Sequence, residues 1–120
     1  MRDRVTLCPG DFFESLPAGH DAYLLSMIVH DWADADAKRL LDVVRSSIAA
    51  DGRLLIVDAV LPGGDTPHFG KLLDLTMMAM LPGRERSARE FSALLADCGF
   101  ELARIVETPS PTSLIEARPV

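Results

Sequence analysis

The sequence predicts a single α/β domain built on a mixed β-sheet, and two observations lead to this fold class. In the first half of the chain, segments that are apolar on both faces alternate with a segment whose apolar residues recur every three or four positions. Near the end, two short apolar segments flank a turn rich in proline and serine, which is the pattern of an antiparallel hairpin. A length of 120 residues suits one such domain.

The first two predicted strands come early in the chain. Residues 5–8 form a short apolar segment, which we interpret as a brief strand. Residues 21–29 contain no Gly or Pro and are apolar on both faces, as expected of a central parallel strand. This second strand leads directly into His30, Asp31 and the only tryptophan of the chain, Trp32.

A helix and a third strand are predicted next. Apolar residues at spacings of three and four run through residues 34–50, the pattern of one buried helical face. Asp34 and Asp36 near its start can cap free N–H groups, and Gly52 can end it in a left-handed conformation. Residues 53–61 are again apolar on both faces apart from one aspartate, so they predict a strand joined to the second through a right-handed βαβ connection.

A second amphipathic helix is predicted at about residues 69–80, after a loop rich in Pro and Gly. It carries three methionines, Met77, Met78 and Met80. Methionines at this spacing fill a core more often than they contact a ligand, but they also suit a pliable pocket wall. The spacing alone leaves both interpretations open.

A third helix is predicted at residues 87–97, with Ser87 as its N-cap and a left-handed Gly99 at its C-terminal end. The basic cluster at residues 84–89 is interrupted by an acid, so we interpret it as a solvated helix start. The last two strands, residues 101–107 and 113–117, are joined by a tight turn and should form an antiparallel hairpin.

Composition and charge argue against several kinds of partner. The formal net charge of −6 disfavours nucleic acid, because phosphate binding needs a concentrated basic field. No apolar segment approaches the roughly 20 residues of a membrane span, and no signal-peptide core follows the first residues. Cys8 and Cys98 lie far apart and indicate neither a disulfide framework nor a zinc site. We therefore expect a soluble cytoplasmic protein that binds neither nucleic acid nor membrane.

Several common chemical motifs are absent from the sequence. Neither Gly-rich phosphate loop, GxGxxG or GxxxxGK[ST], can be written anywhere, and no serine lies in a GxSxG elbow. The three histidines, His20, His30 and His68, are scattered along the chain, so we do not expect a metal site.

Charged side chains gather where the predicted parallel strands end. In such a sheet the carboxyl ends of the strands form one rim, where ligands bind. The charged residues at this rim or just beyond it are Asp11, His30, Asp31, Asp58 and Glu85. An imidazole can take a proton near neutral pH, and Asp58 or Glu85 could orient His30 and stabilise its charge. The alternatives are that His30 caps a core strand, that Asp58 is a surface carboxylate and that Glu85 is a helix-start acid.

Six motifs carry a resemblance to a known family. In chain order they are residues 10–13 (GDFF), 25–32 (LSMIVHDW), 55–62 (LIVDAVLP), 73–75 (LDL), 83–87 (GRERS) with 90–91, and 99–100. In this order they resemble the second half of S-adenosylmethionine-dependent O-methyltransferases, and are most similar to the small-molecule enzymes of bacterial polyketide tailoring, plant phenolics and hydroxyindole methylation. The resemblance implies an incomplete Rossmann-like methyltransferase sheet, with parallel strands followed by a C-terminal antiparallel hairpin.

The resemblance implies S-adenosylmethionine as the cofactor and assigns roles at its site. Asp11 matches the acid that contacts the adenine, Phe12 the residue packed on that ring, and Ser26 a position that helps to hold the cofactor. His30 matches the base that deprotonates the hydroxyl of a small acceptor for in-line attack on the sulfonium methyl.

Further matching positions lie around this histidine. Asp58 and Glu85 match the two acids that flank it, although the family often has Glu where Asp58 stands. The residues implied to contact the acceptor are Asp31, Met77, Met78 and Met80.

The resemblance places residues 1–120 in the C-terminal portion of the catalytic domain, from the third strand of a sheet with order 3-2-1-4-5-7-6. The family's N-terminal helical dimerisation domain, Gly-rich cofactor loop and ribose-binding acid have no counterpart in these residues. We therefore expect the 120 residues alone to bind the cofactor weakly or not at all and to be inactive or impaired. Two rival hypotheses are a non-catalytic module that associates, for example as a homo-oligomer, through an exposed sheet edge, and a cofactor-independent enzyme using His30 with Asp58.

Overall fold

The computed structural model describes residues 2–62, 68, 70–72 and 83–120. The main sheet has four strands, namely β1 (Ala22–Ser26), β2 (Arg53–Asp58), β5 (Phe100–Glu107) and β6 (Ser113–Pro119). Their order is β1-β2-β6-β5, with β1 and β2 parallel and the β5-β6 hairpin added antiparallel to β2. This confirms the α/β fold class, and the order agrees with the last four places of the sheet that the resemblance implies.

A second, smaller sheet consists of β3 (Val60–Leu61) and β4 (Arg86–Ser87), which pair in parallel. Neither strand was predicted as a separate element. The predicted strand at residues 53–61 is in fact divided, because the chain leaves the main sheet after β2 and joins the second sheet one residue later. This pairing brings residues 83–87 to the end of the main sheet, where β2 ends.

The predicted helix between the parallel strands is confirmed as α1 (Asp34–Ser47). Its buried face is made by residues at the predicted spacings, namely Ala37, Leu40, Leu41 and Val44. Asp34 and Asp36 lie in the first turn, where their charges meet the positive end of the helix dipole. The predicted capping is wrong, because the N-cap is Ala33 and has no polar side chain.

The predicted role of Gly52 at the end of this helix is also wrong. The helix ends at Ser47 because Ile48 is already extended, and Gly52 does not have a left-handed φ. Gly52 instead permits close packing, since a Cβ there would lie 2.6 Å from Cγ1 of Ile48.

Two strand predictions near the N-terminus need correction. Residues 5–8 form no strand, and the side chains of Val5 and Leu7 are 60% and 88% exposed. A four-residue strand is stable only when a neighbour pairs with it, and among the described strands β1 pairs with β2 alone. The second strand ends at Ser26 rather than at residue 29, because Met27 has a left-handed φ of 56° that turns the chain out of the sheet.

From residue 87 onward the structure follows the prediction closely. The helix α2 (Ala88–Asp97) begins at a capping box, in which the side chain of Ser87 accepts from the backbone N–H of Glu90 and the side chain of Glu90 accepts from that of Ser87. Gly99 follows the helix with a left-handed φ of +80°. The helix packs against β5 and α1, and apolar side chains such as Leu40, Phe91 and Phe100 form one core.

No helix in the described ranges is both long and apolar enough to cross a membrane. Most of the predicted helix at 69–80 lies outside the described residues.

Candidate active site

Three segments meet where the parallel strands end. A 3-10 turn, Val29–Asp31, follows Met27 and carries His30, while Asp58 is the last residue of β2. Glu85 lies on the segment that the β3-β4 pairing holds in place. His30, Asp58 and Glu85 are 7%, 0% and 1% exposed. The alternatives, that Asp58 is a surface carboxylate and that Glu85 is a helix-start acid, are therefore wrong, because both side chains are buried and the helix begins only at Ala88.

His30 and Glu85 are in direct contact. Nδ1 of His30 lies 2.6 Å from Oε1 of Glu85, so an Nδ1–H donates to the carboxylate and leaves Nε2 as the proton acceptor of the neutral ring. This hydrogen bond raises the pKa of His30 above 6.5, and the negative charges of Asp58, Glu85 and Asp31 add to the rise. Burial acts in the opposite direction.

Asp58 is buried beside this pair. Burial raises its pKa to about 7, and the negative charge of Glu85 adds to the rise, while the charges of His30 and Arg86 lower it. The backbone N–H of His30 also favours the charged form, yet neither Asp58 oxygen makes a hydrogen bond of ordinary geometry to a described residue. Asp58 can therefore exchange a proton near neutral pH.

Asp31 lies on the other side of the imidazole. Its Oδ1 is 3.3 Å from Nε2 of His30, and its side chain is 39% exposed. The carboxylate can attract a protonated His30 and is accessible from outside. The predicted contact of Asp31 with an acceptor remains a prediction, and Met77, Met78 and Met80 lie outside the described residues.

Arg86 is a site residue that the sequence interpretation missed. It was assigned to a solvated helix start, but it is only 1% exposed. Its guanidinium donates to Oδ1 of Asp34 and to the backbone oxygens of Val29 and Trp32, on either side of the His30 turn. The sequence around Arg86 does not indicate burial, because a cluster of charged residues before a helix is usually solvated.

Gly83 allows the Glu85 segment to approach this turn. A Cβ at position 83 would lie 1.9 Å from the carbonyl oxygen of His30 and 2.5 Å from the carbonyl carbon of Asp31. Backbone atoms cannot move aside as a side chain can, so only glycine fits here. In the sequence analysis Gly83 stands only as the first residue of the motif at residues 83–87, with no role in packing.

The residues predicted to hold a cofactor lie near the same end of the sheet but not in the His30 cluster. Asp11 is exposed, and its Oδ1 accepts a hydrogen bond of 2.8 Å from the N–H of Phe13. The ring of Phe12 is half-buried, with its centroid 6.3 Å from that of Trp32. Ser26 is exposed at the end of β1.

A groove of about 1120 Å³ lies elsewhere, between β3, the start of α2 and the β5-β6 turn. Its lining includes Leu61, His68, Arg89 and Val106, and none of the described residues predicted for the site lines it.

Within the described ranges, no three His, Cys, Asp or Glu side chains are arranged to hold a metal ion. The chemistry of the described residues therefore centres on His30, Glu85 and Asp58.

The family is decided by comparison with known proteins. A model of the O-methyltransferase domain matches residues 1–101. The chain belongs to the O-methyltransferase domain family. The resemblance inferred from its motifs is thereby confirmed.

Individual relatives agree with this family. Phenazine O-methyltransferase PhzM of Lysobacter antibioticus is 47% identical to this O-methyltransferase chain over 118 residues, which are 98% of the chain and 35% of that protein. The crystal structure of LaPhzM has a TM-score of 0.94 at 47% identity and is matched over 98% of this chain and 36% of its own. The chain thus spans about a third of the length of the relatives it matches.

A third comparison includes bound ligands. NcsB1 from neocarzinostatin biosynthesis was solved in complex with S-adenosylmethionine and 2-hydroxy-5-methyl naphthoic acid. Its TM-score with this O-methyltransferase chain is 0.87 at 30% identity, covering 99% of this chain and 34% of that structure.

Proposed function

We propose that residues 1–120 are the C-terminal portion of a catalytic domain that transfers a methyl group from S-adenosylmethionine to a hydroxyl of a small aromatic or polyketide-like acceptor, with His30 as the general base. The observation that carries this proposal is the 2.6 Å contact between Nδ1 of His30 and Oε1 of Glu85. A buried carboxylate on one ring nitrogen fixes the tautomer and supports the positive charge that the ring gains when Nε2 takes a proton.

The proposed mechanism uses few groups. The acceptor hydroxyl gives its proton to Nε2 of His30 while its oxygen becomes nucleophilic, and Glu85 stabilises the imidazolium that results. Asp58, with a pKa of about 7, adds negative charge near this centre once it has lost its proton. Asp31 is placed beside Nε2 and is proposed to contact the acceptor, together with Met77, Met78 and Met80.

The described residues fit one end of the proposed cofactor. The exposed carboxylate of Asp11 can accept a hydrogen bond from an adenine amino group, and the half-buried Phe12 offers an apolar ring. Ser26 at the end of β1 could add a polar contact. S-adenosylmethionine, when bound, supplies an electrophilic methyl group.

The base can be tested in a chimera, in which residues 1–120 replace the matching third of the Lysobacter antibioticus phenazine O-methyltransferase. We expect His30→Ala to lower kcat by roughly 10²- to 10⁴-fold, the usual contribution of general base catalysis. The matched control is His20→Ala, because His20 is exposed and its ring centroid lies 6.1 Å from that of Tyr23. Unchanged turnover in the His30 variant would remove this residue from the role.

We further propose that the 120 residues alone bind S-adenosylmethionine weakly or not at all. The contacts that the described residues offer are few and exposed, and Asp11 already accepts a hydrogen bond from its own turn. Isothermal titration of the 120-residue chain should show no binding in the micromolar range. A micromolar dissociation constant would contradict this proposal.

A second candidate function is a non-catalytic module that associates through the edge of its sheet. Among the described strands β1 is at the edge, and its Leu24 is 62% exposed. An unpaired strand edge with apolar side chains favours association with another chain, including a second copy. Light scattering separates the two candidates, because an oligomer that is indifferent to S-adenosylmethionine would favour the module.

The proposed setting is the cytoplasm. Cys8 is exposed and Cys98 is buried, and both are free thiols. Free thiols are usual in a reducing compartment.

A further inference from the structure

We propose that Arg86 is a positioning residue, which holds the turn that carries His30 and the segment that carries Glu85 in register for proton transfer. This inference rests on the proposed role of His30 as the base. It concerns a buried cation that the proposed mechanism does not use.

The guanidinium of Arg86 joins the two sides of the site. Its Nη1 donates to the backbone oxygen of Val29 at 3.2 Å, and its Nη2 donates to that of Trp32 at 2.9 Å. Val29 is the first residue of the turn that carries His30, and Trp32 directly follows the last one. The same guanidinium donates from Nε and Nη2 to Oδ1 of Asp34, at 3.1 and 2.8 Å, which ties the turn to the start of α1.

The backbone of Arg86 is fixed on the Glu85 side. Arg86 follows Glu85 directly, and it pairs with Val60 in the β3-β4 sheet. Its Nη1 also donates to the backbone oxygen of Arg84, at 3.4 Å. We therefore expect a change at the guanidinium to alter the distance between the carboxylate of Glu85 and the imidazole of His30.

The chemistry of arginine suits this position better than that of lysine. A guanidinium presents five N–H donors in a rigid plane, so it can bond several fixed acceptors at once, whereas an ammonium is a single compact centre. Arg86 is 1% exposed, and a buried cation of this kind is tolerated only when its donors are satisfied. The side chain of Asp34 is 56% exposed, whereas the hydrogen bond to the backbone oxygen of Val29 is buried and that to the backbone oxygen of Trp32 is partly buried.

The pKa of His30, measured by NMR titration of its imidazole in the 120-residue chain, tests this role without any turnover. Arg86→Met removes the cation, so charge alone would leave the pKa of His30 unchanged or raise it. Loss of position has the opposite effect, because it removes the Glu85 hydrogen bond that raises this pKa. We expect Arg86→Met and Arg86→Lys both to lower the pKa by at least about half a unit.

The matched control is Arg84→Met. Arg84 is a cation two residues away, 44% exposed and paired with Glu90, so its loss should shift the pKa of His30 by less than about 0.2 units. Amide spectra of the β5-β6 hairpin report whether each variant remains folded. If Arg86→Met does not fold, Arg86→Lys decides the question, since it keeps the charge and changes only the geometry.

A double-mutant cycle tests whether Arg86 acts through Glu85. In a Glu85→Gln background, we expect Arg86→Lys to cause no further fall in the pKa of His30. An equal fall in both backgrounds, or no fall in the wild-type background, would overturn the positioning role. Failure of the proposed methyl transfer would show instead in the turnover of the His30→Ala chimera, so the two outcomes are distinguishable.

Discussion

The His30 imidazole has two carboxylates close to its two ring nitrogens, at 2.6 and 3.3 Å. Because the hydrogen bond to Glu85 raises its pKa above 6.5, the ring holds its proton to higher pH than an ordinary histidine does. A base must be neutral to accept a proton, so the rate of a reaction that depends on His30 should rise with pH through this raised pKa.

The same groups make stability depend on pH in one direction. His30 has a raised pKa in the folded chain, so its stabilising contribution is complete below pH 6.5 and is lost as pH rises through the folded value. The pKa of Asp58 is about 7 in the folded chain, compared with its ordinary value of 3.8. Between these two pH values the folded state keeps a proton on Asp58 that the unfolded chain has already lost. Both effects lower the free energy of unfolding as pH rises towards 8.

Asp58→Asn tests this account at the level of one residue. An amide cannot ionise, so the variant should lose the part of the pH dependence that arises between about pH 4 and 7. We expect the Tm of the wild-type chain to fall by several degrees between pH 5 and pH 8, and that of Asp58→Asn to fall by clearly less. Thermal unfolding followed by circular dichroism measures both. Equal falls in the two proteins would show that Asp58 is charged throughout this range.

At the scale of the element, the site depends on the end of one strand and on two short irregular segments that regular elements hold in place. β1 and α1 hold the turn with His30, β2 delivers Asp58, and the β3-β4 pairing holds Glu85. The close contact of Gly83 with the backbone of His30 and Asp31 sets how near these segments can come.

Gly83→Ala should force these segments apart. A Cβ 1.9 Å from a carbonyl oxygen cannot be accommodated without backbone movement, and we expect a loss of about 1–3 kcal/mol in the free energy of unfolding. The pKa of His30 should also fall, since its contact with Glu85 lengthens. Gly10→Ala is the control, because a Cβ there meets nothing within 4 Å, and we expect a change within about 0.5 kcal/mol. Equal effects of the two substitutions in urea denaturation would refute the close approach.

The capping box of α2 provides a second test at this scale. The Ser87 hydroxyl accepts a hydrogen bond from the N–H of Glu90, and the Glu90 carboxylate accepts one from the N–H of Ser87. Ser87→Ala should therefore cost about 1 kcal/mol of stability. Ser92→Ala, on the exposed face of the same helix, should be neutral or slightly stabilising. The prediction fails if the two variants have the same denaturation midpoint.

The elements that the sequence predicts correctly are those with a local cause. α1 follows from the spacing of its apolar residues, and α2 follows from Ser87, Glu90 and Gly99, each of which acts within a few residues. The strand expected at residues 5–8 is absent because pairing, rather than propensity, decides a short strand. The turn at Met27 is likewise unmarked, since methionine has no preference for a positive φ.

The site shows the same division. The positions of His30 and Asp58 near the ends of β1 and β2 could be predicted, because the carboxyl ends of parallel strands share one rim. Glu85 instead precedes β4, and the β3-β4 pairing that brings it to this rim was not predicted. The burial of Arg86 could not be predicted, because its acceptors are backbone oxygens more than fifty residues earlier in the chain. Contacts to the backbone leave no trace in the choice of side chain at the accepting position.

At the scale of the whole molecule, the described sheet has an exposed edge at β1. β1 lies at the edge of the described sheet, and Leu24 on it is 62% exposed, as are Val5 and Leu7 before it to a similar or larger extent. The relatives that match the chain are about three times as long. The chimera with the phenazine O-methyltransferase adds the remaining two thirds or so of that relative to these residues.

The pH dependence of kcat/KM in that chimera tests the central claim most directly, namely that His30 is the base and Glu85 its partner, because kcat/KM reports the pKa values of the enzyme without bound substrate. We predict that kcat/KM rises with pH through an apparent pKa above 6.5, and that Glu85→Gln lowers both this pKa and the plateau value. The control is Glu14→Gln, because Glu14 is an exposed acid and should leave the profile unchanged. A kcat/KM profile that is the same in the wild-type chimera and in Glu85→Gln would contradict the account.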